Sequence, residues 1–198
     1  GTLIYNMTHF NSLDELPEDD YITQICFSID SGHQISATTC GCYAITRKNN
    51  VILLDTYYYS PDGKINKKAP DELAKDLHDF IEKCQTEYNK FAYKITIDSA
   101  EGALKNQYYK DFGVAFHPVA KAKKVDMIDY VQNLLAQGRF FYLDTEANKI
   151  FIKEHRDYRW DEDTLHSDDP KVIKIDDHTC DQFQYFVKDN LSDLGLKW

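Results

Sequence analysis

The chain has 198 residues, enough for one domain of slightly above typical size. Hydrophobic residues make up 42% and charged residues 28%, which excludes a disordered or fibrous protein. The net charge of -10 excludes a whole-chain basic footprint for coating nucleic acid, but it suits an enzyme whose acids hold metal ions. No run approaches the roughly 18 apolar residues of a membrane helix, and no signal peptide stands at the start. The five cysteines are odd in number and read as the reduced thiols of a cytosolic protein. Cys40-Gly41-Cys42 lacks the second pair that a zinc site needs. The sequence begins at Gly1 without a Met, which reads as a fragment or a processed chain.

Residues 1–20 show no clear periodicity, end in "LDELPEDD" and read as a lead-in or linker. From Tyr21 the pattern sharpens, and residues 21–198 read as one domain. "YITQICFSID", "TTCGCYAITRK" and "NVILLDTYYYS" read as three strands, the last two joined by Asn49 and Asn50. Short connections make them an antiparallel meander. "SPDGK" is a turn. "APDELAKDLHDFIEKCQTEY" carries Leu73, Leu77, Phe80, Ile81 and Cys84 at helical spacing. "FAYKITID" is a fourth strand, "SAEGALKNQYYKDF" a helix and "GVAFHPV" a short fifth strand. "KVDMIDYVQNLLAQG" is a helix with Ile128, Val131, Leu134 and Leu135 on one stripe and Gly138 as its stop. "RFFYL" reads as extended, "TEANKIFIKEHRDYRW" as a helix and "DEDTLHSDDPK" as a polar loop. "DDHTCDQFQYFVKDNL" is the final helix, with its Asp pair acting as cap and Phe183, Tyr185 and Phe186 burying it against the sheet. The expected fold is α/β: a mixed central sheet, with an antiparallel three-strand meander plus parallel strands, and helices on both faces.

In "QICFSIDSGHQ" an apolar strand runs straight into a carboxylate, Asp30, and such a group is costly to bury unless something cationic or hydrogen-bonding meets it. Asp98 ends the fourth strand. Sites in α/β sheets form outside the strand ends where the chain order switches, and the first strand of the meander is free to pair with the fourth. His178 and Asp181 are three apart on the final helix and share a face. Carboxylates gathered in this way repel one another without a counterion. Oxygen-rich sites select Mg²⁺ or Mn²⁺, and a His nitrogen shifts the preference toward Mn²⁺. Two such ions form the usual machinery for in-line attack on a phosphodiester. Taken singly, an Asp at a strand end is a turn former, and "DDH" is a helix cap. The combination in this order is what points to metal.

The stretches "FSIDSGH", "ITIDSAEGAL", "KAKKVDMIDYVQNLLAQGRFF", "EHRDYRWDED" and "KIDDHTCDQFQYF" fall in an order that resembles the nuclease domain of the large terminase subunit of tailed bacteriophages, nearest its PBSX-like branch. "GTLIYNMTHF" resembles the segment leading out of the terminase ATPase domain. The resemblance implies an RNase H-like fold and a two-metal, Mn²⁺- or Mg²⁺-dependent endonuclease that cuts concatemeric viral DNA during headful packaging in the host cell cytoplasm. It implies Asp30, Asp98 and Asp181 as metal-binding acids, His178 as the family His, and one of Lys121, Lys123 and Lys124 as the lysine near the site, in contact with DNA. The implied partners are double-stranded DNA, an ATPase domain in the same full-length chain, the small terminase subunit and the portal protein, with no membrane. Gln182 and Gln184 stand where the family has Ala and Arg. No G-x-x-x-x-G-K-[ST] motif occurs, so the packaging motor is not in this sequence.

Three other readings remain. An actin-like or sugar-kinase-like ATP-binding fragment also starts with I-D-x-G before a hairpin, and ATP binding would mark it. A non-catalytic RNase H-like docking module would work without metal. A junction resolvase would share the metal site but prefer branched DNA.

Overall fold

Alternating apolar runs make the strands, and 3.6-residue stripes make the helices. A computed structural model describes residues 2–32, 35–100 and 102–196. The meander runs through β2 (Ile22–Asp30), β3 (Thr38–Thr46) and β4 (Val51–Tyr59), with β1 (Asn11–Leu13) ahead of it. Helix α1 (Pro70–Tyr88), β5 (Ala92–Ile97), α2 (Ala103–Phe112), β6 (His117–Pro118), α3 (Lys124–Ala136) and β7 (Phe140–Leu143) follow. The chain ends in α4 (Lys149–Asp157), α5 (His178–Asp189) and the short α6 (Leu191–Leu194). One seven-stranded sheet runs in the order β1-β7-β4-β3-β2-β5-β6. β3 pairs antiparallel with both β2 and β4. The β2–β5, β5–β6, β4–β7 and β1–β7 pairs are parallel. This is the expected α/β mixed sheet.

Period-two alternation sorts the strand residues into two cores, one on each face. Ile25, Phe27 and Ile29 pack with Leu73, Leu77, Phe80 and Ile81 of α1. Cys26, Tyr43 and Leu53 pack on the other face with Ile128, Val131, Leu134 and Leu135 of α3 and Phe183 and Phe186 of α5. All five cysteines are buried and unpaired. No described helix is long and apolar enough to cross a membrane.

Three readings change. The fifth strand shrinks to His117–Pro118 at the sheet edge, where a proline without an N–H is tolerated. The helix expected over residues 145–160 is a 3-10 turn at Glu146–Asn148 followed by α4. Beyond it the chain is extended, and Trp160 bridges to Val172. The lead-in packs into the body: Ile4, Tyr5 and Phe10 are buried, and β1 pairs with β7. A three-residue strand is too short to show any period in sequence.

Candidate active site

Alternation along β2 puts Ser28 and Asp30 on the face that α5 covers. Ser28 Oγ donates to the Gln182 carbonyl at 2.6 Å, and Tyr43 Oη donates to Gln182 Oε1 at 2.8 Å. Gly41 lets the helix come this close, because a Cβ there would stand 2.7 Å from the Gln182 side chain. Tyr43 stacks on Phe186 with ring centroids 4.2 Å apart. These contacts set α5 over the end of β2.

The parallel register pairs Ile29 with Ile97, so Asp30 and Asp98 leave adjacent strands side by side. Neighbouring strands lie about 4.8 Å apart. His178 Nδ1 is 3.4 Å from Asp30 Oδ2. Asp181, one turn further along α5, holds Lys124 Nζ at 2.8 Å and Lys174 Nζ at 3.6 Å. Lys174 also pairs with Asp177 at 3.2 Å. Tyr185 is half-buried and faces this group. Burial raises its pKa, and Asp181, Asp30, Asp98 and Asp177 raise it further, so one side chain feels all four acids. Tyr185 therefore does not join Phe183 and Phe186 in the core as the sequence suggested.

Asp30 is 7% exposed. Burial pushes its carboxyl up to about 6, against the pull of His178 and with the repulsion of Asp181 and Asp177 added. The contact with Asp30 in turn raises the His178 pKa. Asp98 is more open, and its Oδ1 accepts from Ala100 N at 3.1 Å, so it also organises the turn before α2.

The Asp pair before α5 does not cap it. Asp177 occupies the cap position without a side-chain bond to the helix. The cap comes from buried Glu154 of α4, which accepts from Thr179 N at 2.8 Å and Thr179 Oγ1 at 2.6 Å, while Tyr58 Oη donates to its other oxygen at 3.0 Å. With Glu154 in that place, the Asp177 carboxylate is left for Lys174. Gln184, where the resembling family has Arg, accepts from Lys124 Nζ at 2.8 Å, and its amide donates to Tyr5 and Tyr158. It thus aims Lys124 at Asp181. Lys121 and Lys123 are exposed, and Lys121 lines a cleft with Lys124, Lys174 and Tyr185.

Sequence reasoning missed Lys174, Glu154 and Gln184. The only signal for Lys174 was its place three residues before Asp177. Gln184 stood out as a departure from the resembling family, but nothing pointed to its contact with Lys124, and Glu154 carried no signal, since a polar residue within a helix reads as solvated.

Among the described residues, no three His, Cys, Asp or Glu side chains stand close enough to hold one metal ion. The donor chemistry is nonetheless of the kind hard divalent cations take: His178 meets the buried Asp30 at 3.4 Å, and Asp181 and Asp177 lie near enough to raise the Asp30 pKa further. The present counter-charges on Asp181 are lysine ammoniums.

A mixed sheet with helices on both faces and acids gathered at the ends of its first and fourth long strands defines an RNase H-like α/β domain. Residues 30–189 match the family described as "Terminase RNAseH like domain", and the chain belongs to that family. A comparison with curated proteins finds no match. Among solved structures, the fold resembles the large terminase of a thermophilic bacteriophage in complex with ADP, at TM-score 0.79 and 22% identity over 96% of this chain. The chain spans 44% of that protein's length. It also resembles the large terminase nuclease domain of bacteriophage SPP1 with bound Mn, at TM-score 0.63 and 16% identity, covering 93% of this chain and 97% of that one. The large terminase nuclease of thermophilic phage G20c with bound magnesium superposes at TM-score 0.60 and 10% identity, covering 93% and 96% of the two chains.

Proposed function

We propose that this domain is a divalent-metal-dependent endonuclease for duplex DNA, and that within its full-length protein it cuts concatemeric viral DNA during headful packaging. The carrying observation is the β2–β5 register, which sets Asp30 beside Asp98 under a helix that delivers His178 and Asp181. The Mn and Mg in the SPP1 and G20c nuclease structures support the same cofactor here.

Asp30, Asp98, Asp181 and His178 would hold the ions. Bound there, divalent ions supply water activation and charge neutralisation at the leaving oxygen. The chain's own residues supply rigidity. Asp30 is fixed by a central strand, and His178 by a helix start that Glu154 and Tyr58 anchor. Lys124, steered by Gln184, orients Asp181. Lys121 and Lys123 would meet phosphates. In the full-length protein, an ATPase domain, the small terminase subunit and the portal would bring the DNA, raising effective concentration at a domain whose net charge is -10. The host cytoplasm is the expected setting.

Plasmid nicking with Mn²⁺, Mg²⁺ and EDTA tests this. Metal-dependent nicking of plain duplex is expected. Metal-independent function would favour the docking module, and ATP binding the kinase-like fragment.

A further inference from the structure

Helix α4 is amphipathic. Phe151, Ile152, Glu154 and His155 are buried, while Lys149, Lys153 and Arg156 are exposed at i, i+4 and i+7 on one face. That row spans about 10 Å of helix, the rise of roughly three nucleotides of one DNA strand. Lys149 is held by Glu146 at 2.7 Å. Among the described residues, Lys153 and Arg156 have no ion-pair partner within 4 Å.

The row lines a cleft of about 640 Å³. Ile150 and Lys153 also line a second, adjoining cleft of about 420 Å³, which reaches Tyr58 and Glu154. The second cleft approaches the site through Tyr58, whose ring lies 6.5 Å from the His178 ring. The strand register fixes its side. Asp30 pairs with Thr39 and Thr39 with Tyr58, while Asp98 lies beyond Asp30 on the other flank. Lys121 and Lys124 line the cleft on the Asp98 side. The acids are thus flanked by cations twice, once at Asp98 and once at Tyr58.

We propose that Lys153 and Arg156, with Lys149 at the end of the row, form a phosphate-binding track for duplex DNA on the Tyr58 side of the site. The proposal rests on the nuclease reading for the identity of the polyanion. Asp144, Glu146, Glu154, Asp157 and Asp176 also line the two clefts, so the attraction is confined to the exposed cationic row and depends strongly on salt.

The test is fluorescence anisotropy of a labelled duplex over a salt series in EDTA, where no cleavage intervenes. Lys153→Ala/Arg156→Ala is compared with Lys75→Ala/Lys110→Ala, an equal charge change on exposed faces of α1 and α2. Each lost phosphate contact lowers the slope of log affinity against log salt by about 0.9, so the α4 pair is expected to lower it by about 1.8 and the control to leave it unchanged. An unchanged slope, or an equal fall in the control, overturns the track. Wild-type nicking with Mn²⁺ is scored separately. Nicking with an unaltered slope sinks the track alone, whereas a track-dependent slope in a protein that never nicks sinks the nuclease reading alone.

Discussion

Strand β2 has a buried aspartate near each end, and the two are treated in opposite ways. Asp20, just before the strand, is 5% exposed and accepts from Thr46 Oγ1 at 2.6 Å, Lys48 N at 2.9 Å and Asn50 Nδ2 at 3.1 Å. Burial opposes its charge, but these donors outweigh burial and hold its pKa below the ordinary value. Asp30 is as little exposed but lies much deeper in the protein; among the described residues its charged contact is His178 at 3.4 Å, and burial pushes its carboxyl up to about 6. A carboxylate that staples a hairpin is given donors by the fold. Asp30, the proposed cation ligand, meets His178 but lacks the three donors that hold Asp20. Both ends of α5 follow the pattern of Asp20 instead: Asp189 accepts from Thr96 Oγ1 at 2.5 Å and contacts His117 Nδ1 at 2.8 Å, while Asp181 accepts from Lys124 Nζ at 2.8 Å and Asp177 pairs with Lys174 at 3.2 Å.

The largest expected effect is on cleavage. Asp30→Asn, Asp98→Asn and Asp181→Asn should each lower plasmid nicking by orders of magnitude, because a two-metal site fails when one ion is misplaced. Asp20→Ala should nick like wild type where it is folded. Wild-type rates in any of the three Asn variants would remove that residue from the site.

Stability should divide the pair the other way. Asp20→Ala strips three donors of their acceptor and should cost about 1–3 kcal/mol per buried group left unpaired, read by chemical denaturation. In EDTA, Asp30→Asn should match or exceed wild type. Acidity sharpens this. A carboxyl whose folded pKa is raised contributes stability that is complete below its unfolded value near 3.8 and is lost as pH rises through about 6. The advantage of Asp30→Asn over wild type should therefore be full at pH 7 and vanish by pH 4. Asp20, with a lowered pKa, loses its contribution as pH falls through the ordinary carboxylate range. Buried His155, held down to about 3, likewise costs the fold stability below its unfolded value near 6.5. An advantage for Asp30→Asn that persists at pH 4 would contradict the charge account.

His178→Ala should weaken nicking without abolishing it, and should narrow the wild-type preference for Mn²⁺ over Mg²⁺, since imidazole suits Mn²⁺ better. Equal activity with both ions, unaltered by the substitution, would leave His178 as a helix-start residue.

The smallest effect concerns the lysines. Lys121→Ala/Lys123→Ala should reduce cleavage mainly through a flatter salt dependence. Lys124→Ala should act through Asp181 instead, and lower cleavage at every salt concentration. Identical salt profiles for the two variants would erase that distinction.

The legible parts of the fold were those with long periods. The nine-residue strands and the stripes of α1 and α3 announced themselves, and the meander left β2 free to meet β5. Short elements did not: β1 and the two-residue β6 owe their pairing to neighbours, not to pattern. In the proposed site, Asp30 and Asp98 drew notice because a carboxylate after an apolar strand is conspicuous, and the β2–β5 register brings those strand ends side by side. Asp181 and His178 were legible because three residues separate neighbours on one helix face. The cap supplied by Glu154 depends on a contact 25 residues away, and Lys124 is aimed by Gln184 60 residues on. No local pattern encodes such pairings.

Asp30, on the proposed reading, is held for a divalent cation. The most direct measurement is the thermal melt of wild type, Asp30→Asn and Asp20→Ala, each with millimolar Mn²⁺ and with EDTA. An ion that binds only the folded state stabilises by RT ln(1 + [L]/Kd), about 2.7 kcal/mol at a hundredfold excess over Kd. A Mn²⁺-dependent rise in melting temperature is expected for wild type, with the same rise on a lower baseline for Asp20→Ala and loss of most of the rise in Asp30→Asn. No metal-dependent shift in wild type, together with an Asp30→Asn protein that is simply less stable, would contradict it.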